Sequence, residues 1–165
     1  TIHYLDVWYA HSGYIKAIAE QIRLACKEMA EDRFDNASLV FTAHAIPKAA
    51  ANASPYIHQF AETATAVASL IGKDFDLAYQ SQPQGTPIPW TQPDINDLIR
   101  EKAGVRDIIV SPIGFLCDHV EVLYDLDVEA KSTAESHGMG FIRAGTVGAH
   151  PEFIRMLADL STRNA

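Results

Sequence analysis

The chain has 165 residues, of which 48% are apolar and 21% charged, the balance of a folded protein with a substantial core. Its formal net charge of −8 repels phosphate backbones and argues against nucleic acid as a partner, while cations remain favoured. Two cysteines, Cys26 and Cys117, are too few for a disulfide framework or an iron–sulfur cluster, and no apolar run is as long as a membrane span. A cytoplasmic protein with no transmembrane segment is expected, and the opening Thr1 in place of Met points to a processed or excised piece.

Helix and strand signals alternate along the chain. Residues 12–30 place Ile15, Ile18, Ala19 and Ile22 at helical spacing behind Ser12 as the expected cap. A short run rich in strand formers follows at 38–43. The segment 54–72 reads as a helix with Ser54 as cap, Pro55 in the first turn and Gly72 at its exit. Residues 75–81 form the second expected strand, and a proline-rich loop, "QPQGTPIPWTQP", succeeds it. A helix over 94–103, a strand over 107–115, a long helix over 119–136, a strand over 139–144 and a closing helix over 151–161 complete the pattern. Strands joined through helices imply right-handed crossovers. The expectation is therefore a single α/β domain over 1–165, in three layers, with roughly four parallel strands flanked by helices.

Ligands of such sheets sit where the strands end. The stretches "AHAIP", "SQPQGTPIPW" and "GFLCDHVE" all leave strand ends, so His44, Gln80, Trp90, Asp118, His119 and Glu121 should share one rim. His44 reads either as a loop-binding histidine or as a functional one, and a second histidine with a carboxylate nearby favours function. Asp118 as cap with Glu121 three residues on would form a capping box at the start of the long helix. That helix end also keeps Glu121 ionised, as suits a carboxylate meant for a cation or a proton. Glu121, Asp125 and Glu129 lie four apart and so on one helix face, at the expense of a few tenths of a kcal/mol of like-charge repulsion per pair. The row reads as a solvated face or as oxygen ligands for weakly held, exchangeable cations; it lacks the Cys and His spacing of a zinc site. Trp90, fixed among prolines, is either a loop anchor or a stacking surface for a flat ligand. No dinucleotide, Walker or nucleophile-elbow motif is present.

The blocks "FTAHAIP", "YQSQ…PIPW", "SPIGFLCDHVEVLYDLDVEA" and "HPEFIRMLADL" resemble, in order and spacing, the C-terminal half of the ferrochelatase family. The resemblance runs from about Trp8 to Leu160. It implies a chelatase-like lobe that takes part in inserting Fe(II) into a porphyrin, either protoporphyrin IX or coproporphyrin III, in haem biosynthesis. It further implies His44 and Glu121 as catalytic residues that also touch the metal. Asp125 and Glu129 would lie along a route or second site for a divalent metal, and Trp90, Asp118, His119 and Tyr124 would be substrate-binding. Porphyrin and Fe(II) would be the substrates, no tightly bound cofactor is expected, and the second wall of the cleft would come from a missing N-terminal lobe or a second subunit. Two other readings stay open: a single-lobe sirohydrochlorin-type chelatase and a non-catalytic metal- or haem-binding domain.

Overall fold

A computed structural model describes Tyr4, Leu5 and residues 7–83 and 85–163, without the side chain of Arg163. Helix α1, Ser12–Ala25, buries Ile15, Ile18, Ala19 and Ile22 as its periodicity demands. Its cap is His11, whose Nδ1 accepts from the Gly13 N–H at 3.1 Å, so Ser12 is already inside the helix. The helix expected over 12–30 ends at Ala25, with Cys26 as its C-cap, and a short α2, Glu31–Asn36, follows where no element was expected. Strand β1, Ser38–His44, leads through α3, Lys48–Asn52, into α4, Tyr56–Ile71. Pro55 occupies the cap position of α4, and the Ser54 hydroxyl donates to the Ala51 carbonyl at 3.4 Å instead of capping. Gly72 does end the helix, at a left-handed φ of 77° that glycine adopts without a side-chain clash.

Strand β2, Phe75–Gln80, precedes α5, Ile95–Glu101, which Asp94 caps through the Asn96 N–H at 2.8 Å. Strand β3 is Asp107–Ser111, shorter than expected because the chain turns at Pro112 and Gly114. The long helix is not uniform. It opens as α6, Val120–Val122, widens into a π-helix over Leu123–Ala130, and closes as α7, Lys131–Ser136. Strand β4, Gly140–Arg143, and α8, Pro151–Arg163, finish the fold. His150 stands ahead of α8 as His11 does ahead of α1, its Nδ1 accepting from the Glu152 N–H at 3.3 Å.

The four strands are parallel in the order β2-β1-β3-β4, and helices cover both faces. Side chains alternate across β1. Leu39, Phe41 and Ala43 enter a core shared with α1, α4 and α8, while Val40 enters the opposite core with α5, Val122, Leu126, Ala130 and Ala134. By the same alternation Thr42 and His44 belong to the second face, the one covered by the π-helix. A one-residue slip of β1 would carry His44 to the other side of the sheet.

Candidate active site

The chain leaves β1 for the first face, through α3 and α4, and leaves neighbouring β3 for the second face, through α6. Between these diverging connections the sheet offers a crevice at its carboxyl edge. Gly114 lets the loop after β3 press onto β1: its N–H donates to the Thr42 carbonyl at 3.0 Å, and a Cβ there would stand 2.6 Å from the Ala43 Cα. That close approach sets the Phe115 ring between two imidazoles, 6.3 Å from His44 and 5.4 Å from His119.

His44 ends β1 with its backbone carbonyl held by the Tyr56 hydroxyl at 2.9 Å. Its Nδ1 donates to the Ala45 carbonyl, and Nε2 lies 2.9 Å from Glu121 Oε1. Carbonyl and carboxylate are both acceptors, so with hydrogens assigned from these partners one proton lies between Nε2 and Oε1. Glu121 holds its carboxyl below the ordinary carboxylate range. The Ser81 hydroxyl contributes most to this, and the charge and hydrogen bond of His44 with the charge of His119 add to it against the opposing effect of burial. Both side chains remain open to solvent, His44 at 42% and Glu121 at 44%, so an incoming ion or ring can reach them.

Glu121, Asp125 and Glu129 do line one groove, of about 800 Å³, with Thr133 continuing the row. In a straight α-helix a four-residue ladder drifts by about 40° per step. The wider π segment opposes that drift and keeps the row aligned. Facing it are Gln80, Ser81, Gln82, Asp94, Asp97 and Arg100. Buried Thr42 donates to Gln80 Oε1 at 3.0 Å, and Gln80 Nε2 reaches Asp125 at 3.4 Å. Ser81, at a left-handed φ of 64°, also donates to Asp125. On the other flank of the crevice lies an apolar cavity of about 340 Å³, lined among others by Trp8, Tyr14, Ala43, Tyr56, Phe60 and Leu116.

The expected capping box is absent. His119, not Asp118, caps α6, its Nδ1 accepting from the Val122 N–H at 3.4 Å. Asp118 instead accepts from Arg143 at 3.1 Å and from the Thr146 N–H at 3.3 Å, and Glu121 turns to His44 in place of the backbone. Trp90 packs against the apolar core on the α1–α4 side, and its indole N–H is buried without a partner. Its segment pins the loop after β2 to that after β1, with Thr91 N–H donating to Ile46 at 3.0 Å and Lys48 N–H to Pro89 at 2.8 Å. Tyr124 is exposed on the π segment beside Val120 and Val128. Ser81, Phe115 and Arg143 escaped the sequence reading. All three follow or end strands at the same edge, which was signal enough to include them. Among the described residues, no three His, Cys, Asp or Glu side chains stand close enough to hold a metal ion, and no helix is long and apolar enough to cross a membrane.

The ferrochelatase family model matches residues 1–165. Coproporphyrin III ferrochelatase of Nocardia farcinica is 42% identical over 167 residues, covering 94% of this chain and 47% of its own length. The enzyme of that name from Propionibacterium freudenreichii is 44% identical over 155 residues, with 87% and 44% covered. The ferrochelatase of Deinococcus radiodurans is 33% identical over 168 residues, with 98% and 53% covered. The chain thus spans about half the length of the curated relatives it matches. Among solved structures, a multi-domain Deinococcus radiodurans protein described as structurally similar to chelatases matches with a TM-score of 0.60 at 16% identity, over 94% of this chain and 30% of its own. That likeness is one of fold. With a match along its whole length, the chain belongs to the ferrochelatase family.

Proposed function

We propose that this chain is the lobe of a ferrochelatase that carries the metal-insertion site, and that it acts on a porphyrin of the coproporphyrin class with Fe(II). The observation that carries the reading is the His44–Glu121 contact of 2.9 Å, which stands between an apolar cavity and an acidic groove. A porphyrin is a flat apolar ring with four inward nitrogens, and Fe(II) is a hydrated cation. A site that serves both needs an apolar flank and a hydrophilic one meeting at a proton acceptor. The relatives named coproporphyrin III ferrochelatase favour that ring over protoporphyrin. Two free cysteines and ferrous iron both fit a reducing, cytoplasmic setting.

Insertion replaces two pyrrole protons with one Fe(II). Glu121, kept ionised by Ser81 and the histidines, offers the ion an oxygen, and His44 offers Nε2. The proton between them passes to water as the ion binds, and once the ion has moved on to the ring nitrogens the freed Nε2 and carboxylate can each take one of the two pyrrole protons. Asp125 and Glu129 form a passage for the cation and not a resting place, in keeping with the lack of a third close ligand among the described residues. Tyr124 and His119 contact the ring at its edge, while Asp118 and Trp90 serve binding by holding the surrounding loops. The remaining half of the longer relatives supplies the second wall of the cleft.

The test is metallation of coproporphyrin III by the full-length protein under anaerobic Fe(II). His44→Ala and Glu121→Gln should each abolish most of the rate while porphyrin fluorescence quenching on binding persists. Rates equal to wild type in both variants would overturn the reading.

A further inference from the structure

The most constrained cation at the rim is one that touches neither groove. Arg143 ends β4 with its side chain only 14% exposed, and its guanidinium spans two carboxylates. Nε donates to Asp127 Oδ1 at 2.7 Å, and a terminal nitrogen donates to Asp118 Oδ1 at 3.1 Å and to the Ala144 carbonyl at 3.3 Å. Asp118 lies one residue before the cap of α6, and Asp127 lies within the π segment. The loops on either side are joined as well, through Thr146 N–H to Asp118 at 3.3 Å and Gly148 N–H to the Leu116 carbonyl at 2.8 Å. One rigid side chain therefore ties together the start and the middle of the helix that displays Glu121 and Asp125.

Resting on the function proposed above, we infer that Arg143 is a positioning residue for metal insertion: by bridging Asp118 and Asp127 it holds the helix in its π register, so that Glu121 reaches His44 while Asp125 and Glu129 stay in line behind it. A π segment is a rare geometry, and the α-helical alternative is always close at hand. Relaxation to α geometry would turn Asp125 by about 40° and Glu129 by about 80° from the direction of Glu121, out of the line they keep along the groove. The bridge opposes this because its two anchors lie on opposite sides of the α-to-π junction. A direct role for Arg143 in gripping an anionic substrate is disfavoured, since three of its five N–H donors are taken by Asp118, Asp127 and the Ala144 carbonyl and little of the side chain reaches solvent. Lysine is no substitute here: a single ammonium lacks the planar fork that reaches two carboxylates at once.

The experiment uses the full-length protein with Arg143→Gln, Arg143→Lys and the milder Asp127→Asn, and with Arg155→Gln on remote α8 as control. Hydrogen exchange should accelerate over residues 119–130 in the first three and nowhere else, with thermal midpoints close to wild type. In the Fe(II)–coproporphyrin assay kcat should fall by about 10- to 100-fold, the usual effect of losing a residue that orients metal ligands, while the KM for porphyrin stays put. Combining Arg143→Gln with Asp127→Asn should be no worse than Arg143→Gln alone. Unchanged exchange over 119–130, exchange raised uniformly over the chain, or a raised porphyrin KM at unchanged kcat would each overturn the inference. If the wild-type protein fails to metallate porphyrin, the functional reading falls, and the exchange pattern still decides whether Arg143 holds the π register.

Discussion

The two faces of the sheet are built from the same strands and end in opposite chemistry. On the first face, Leu39, Phe41 and Ala43 of β1 continue an apolar core that runs to the rim and opens as the cavity lined by Trp8, Tyr14, Tyr56 and Phe60. On the second, Val40 and Ala78 are apolar, but the next positions on that face are Thr42, Gln80 and His44. On β1 polarity rises only over the last residues, beyond Leu39, Val40 and Phe41, so it leaves the core beneath intact. Buried Thr42 and Gln80 satisfy each other and extend a hydrogen-bonded chain to Asp125, which avoids the penalty of an unpaired buried amide. The lesson is that an apolar flank and a polar one can meet at a single rim through strand alternation, with one face kept greasy to its edge and the other made polar there.

The sharpest way to break this comparison is to remove core volume on each face in turn. Phe41→Ala on the first face should lose about 3–5 kcal/mol, and Leu126→Ala beneath the π segment about 2–5 kcal/mol, measured by urea unfolding of the full-length protein. Of the two, only Leu126→Ala should also slow metal insertion at temperatures where the protein stays folded. Equal rates in both variants would dissolve the distinction between the faces. Next in size is Gly114→Ala, which puts a Cβ 2.6 Å from the Ala43 backbone and should cost about 1–3 kcal/mol while displacing Phe115 from between His44 and His119. A thermal midpoint equal to wild type would show that the loop after β3 has room the close contact denies it.

The smallest effect concerns the polar face alone. Glu121 is held below its ordinary value of 4.5, so the ionised carboxylate is the form the fold favours. Its stabilisation is fully present above that ordinary value and is lost as pH falls through the lower, folded one. Because the Ser81 hydroxyl is the largest cause, Ser81→Ala should be slightly less stable than wild type near neutrality, and the difference should close below the ordinary glutamate value. Both groups face solvent, so the gap is modest and shrinks with salt. A difference that grows toward acid pH would show the sign to be wrong.

Much of this was legible in advance, for identifiable reasons. Apolar periodicity located every strand and the major helices, missing only the short α2 and α3, which bury one residue between them. Strand–helix alternation placed His44, Gln80, Asp118, His119 and Glu121 on one rim, because parallel strands share a carboxyl edge whatever their order. The choice of partners was not legible. Asp118 and His119 are both competent caps, and local rules prefer the aspartate. What decides is Arg143, 25 residues further on, which claims Asp118 and leaves the cap to His119.

The π segment was hidden for a related reason: a four-residue acidic ladder looks the same in sequence whether the helix beneath it is α or π. Composition, periodicity and turn residues determined by themselves that this is a parallel α/β chain with its candidate site residues at one edge, since those signals act between neighbours. Only the tertiary structure decided which acid meets which base, how wide the helix runs and which flank of His44 stays dry. Those outcomes depend on donors brought from distant parts of the chain, and hydrogen bonds among several able partners go to the one that packing places within reach.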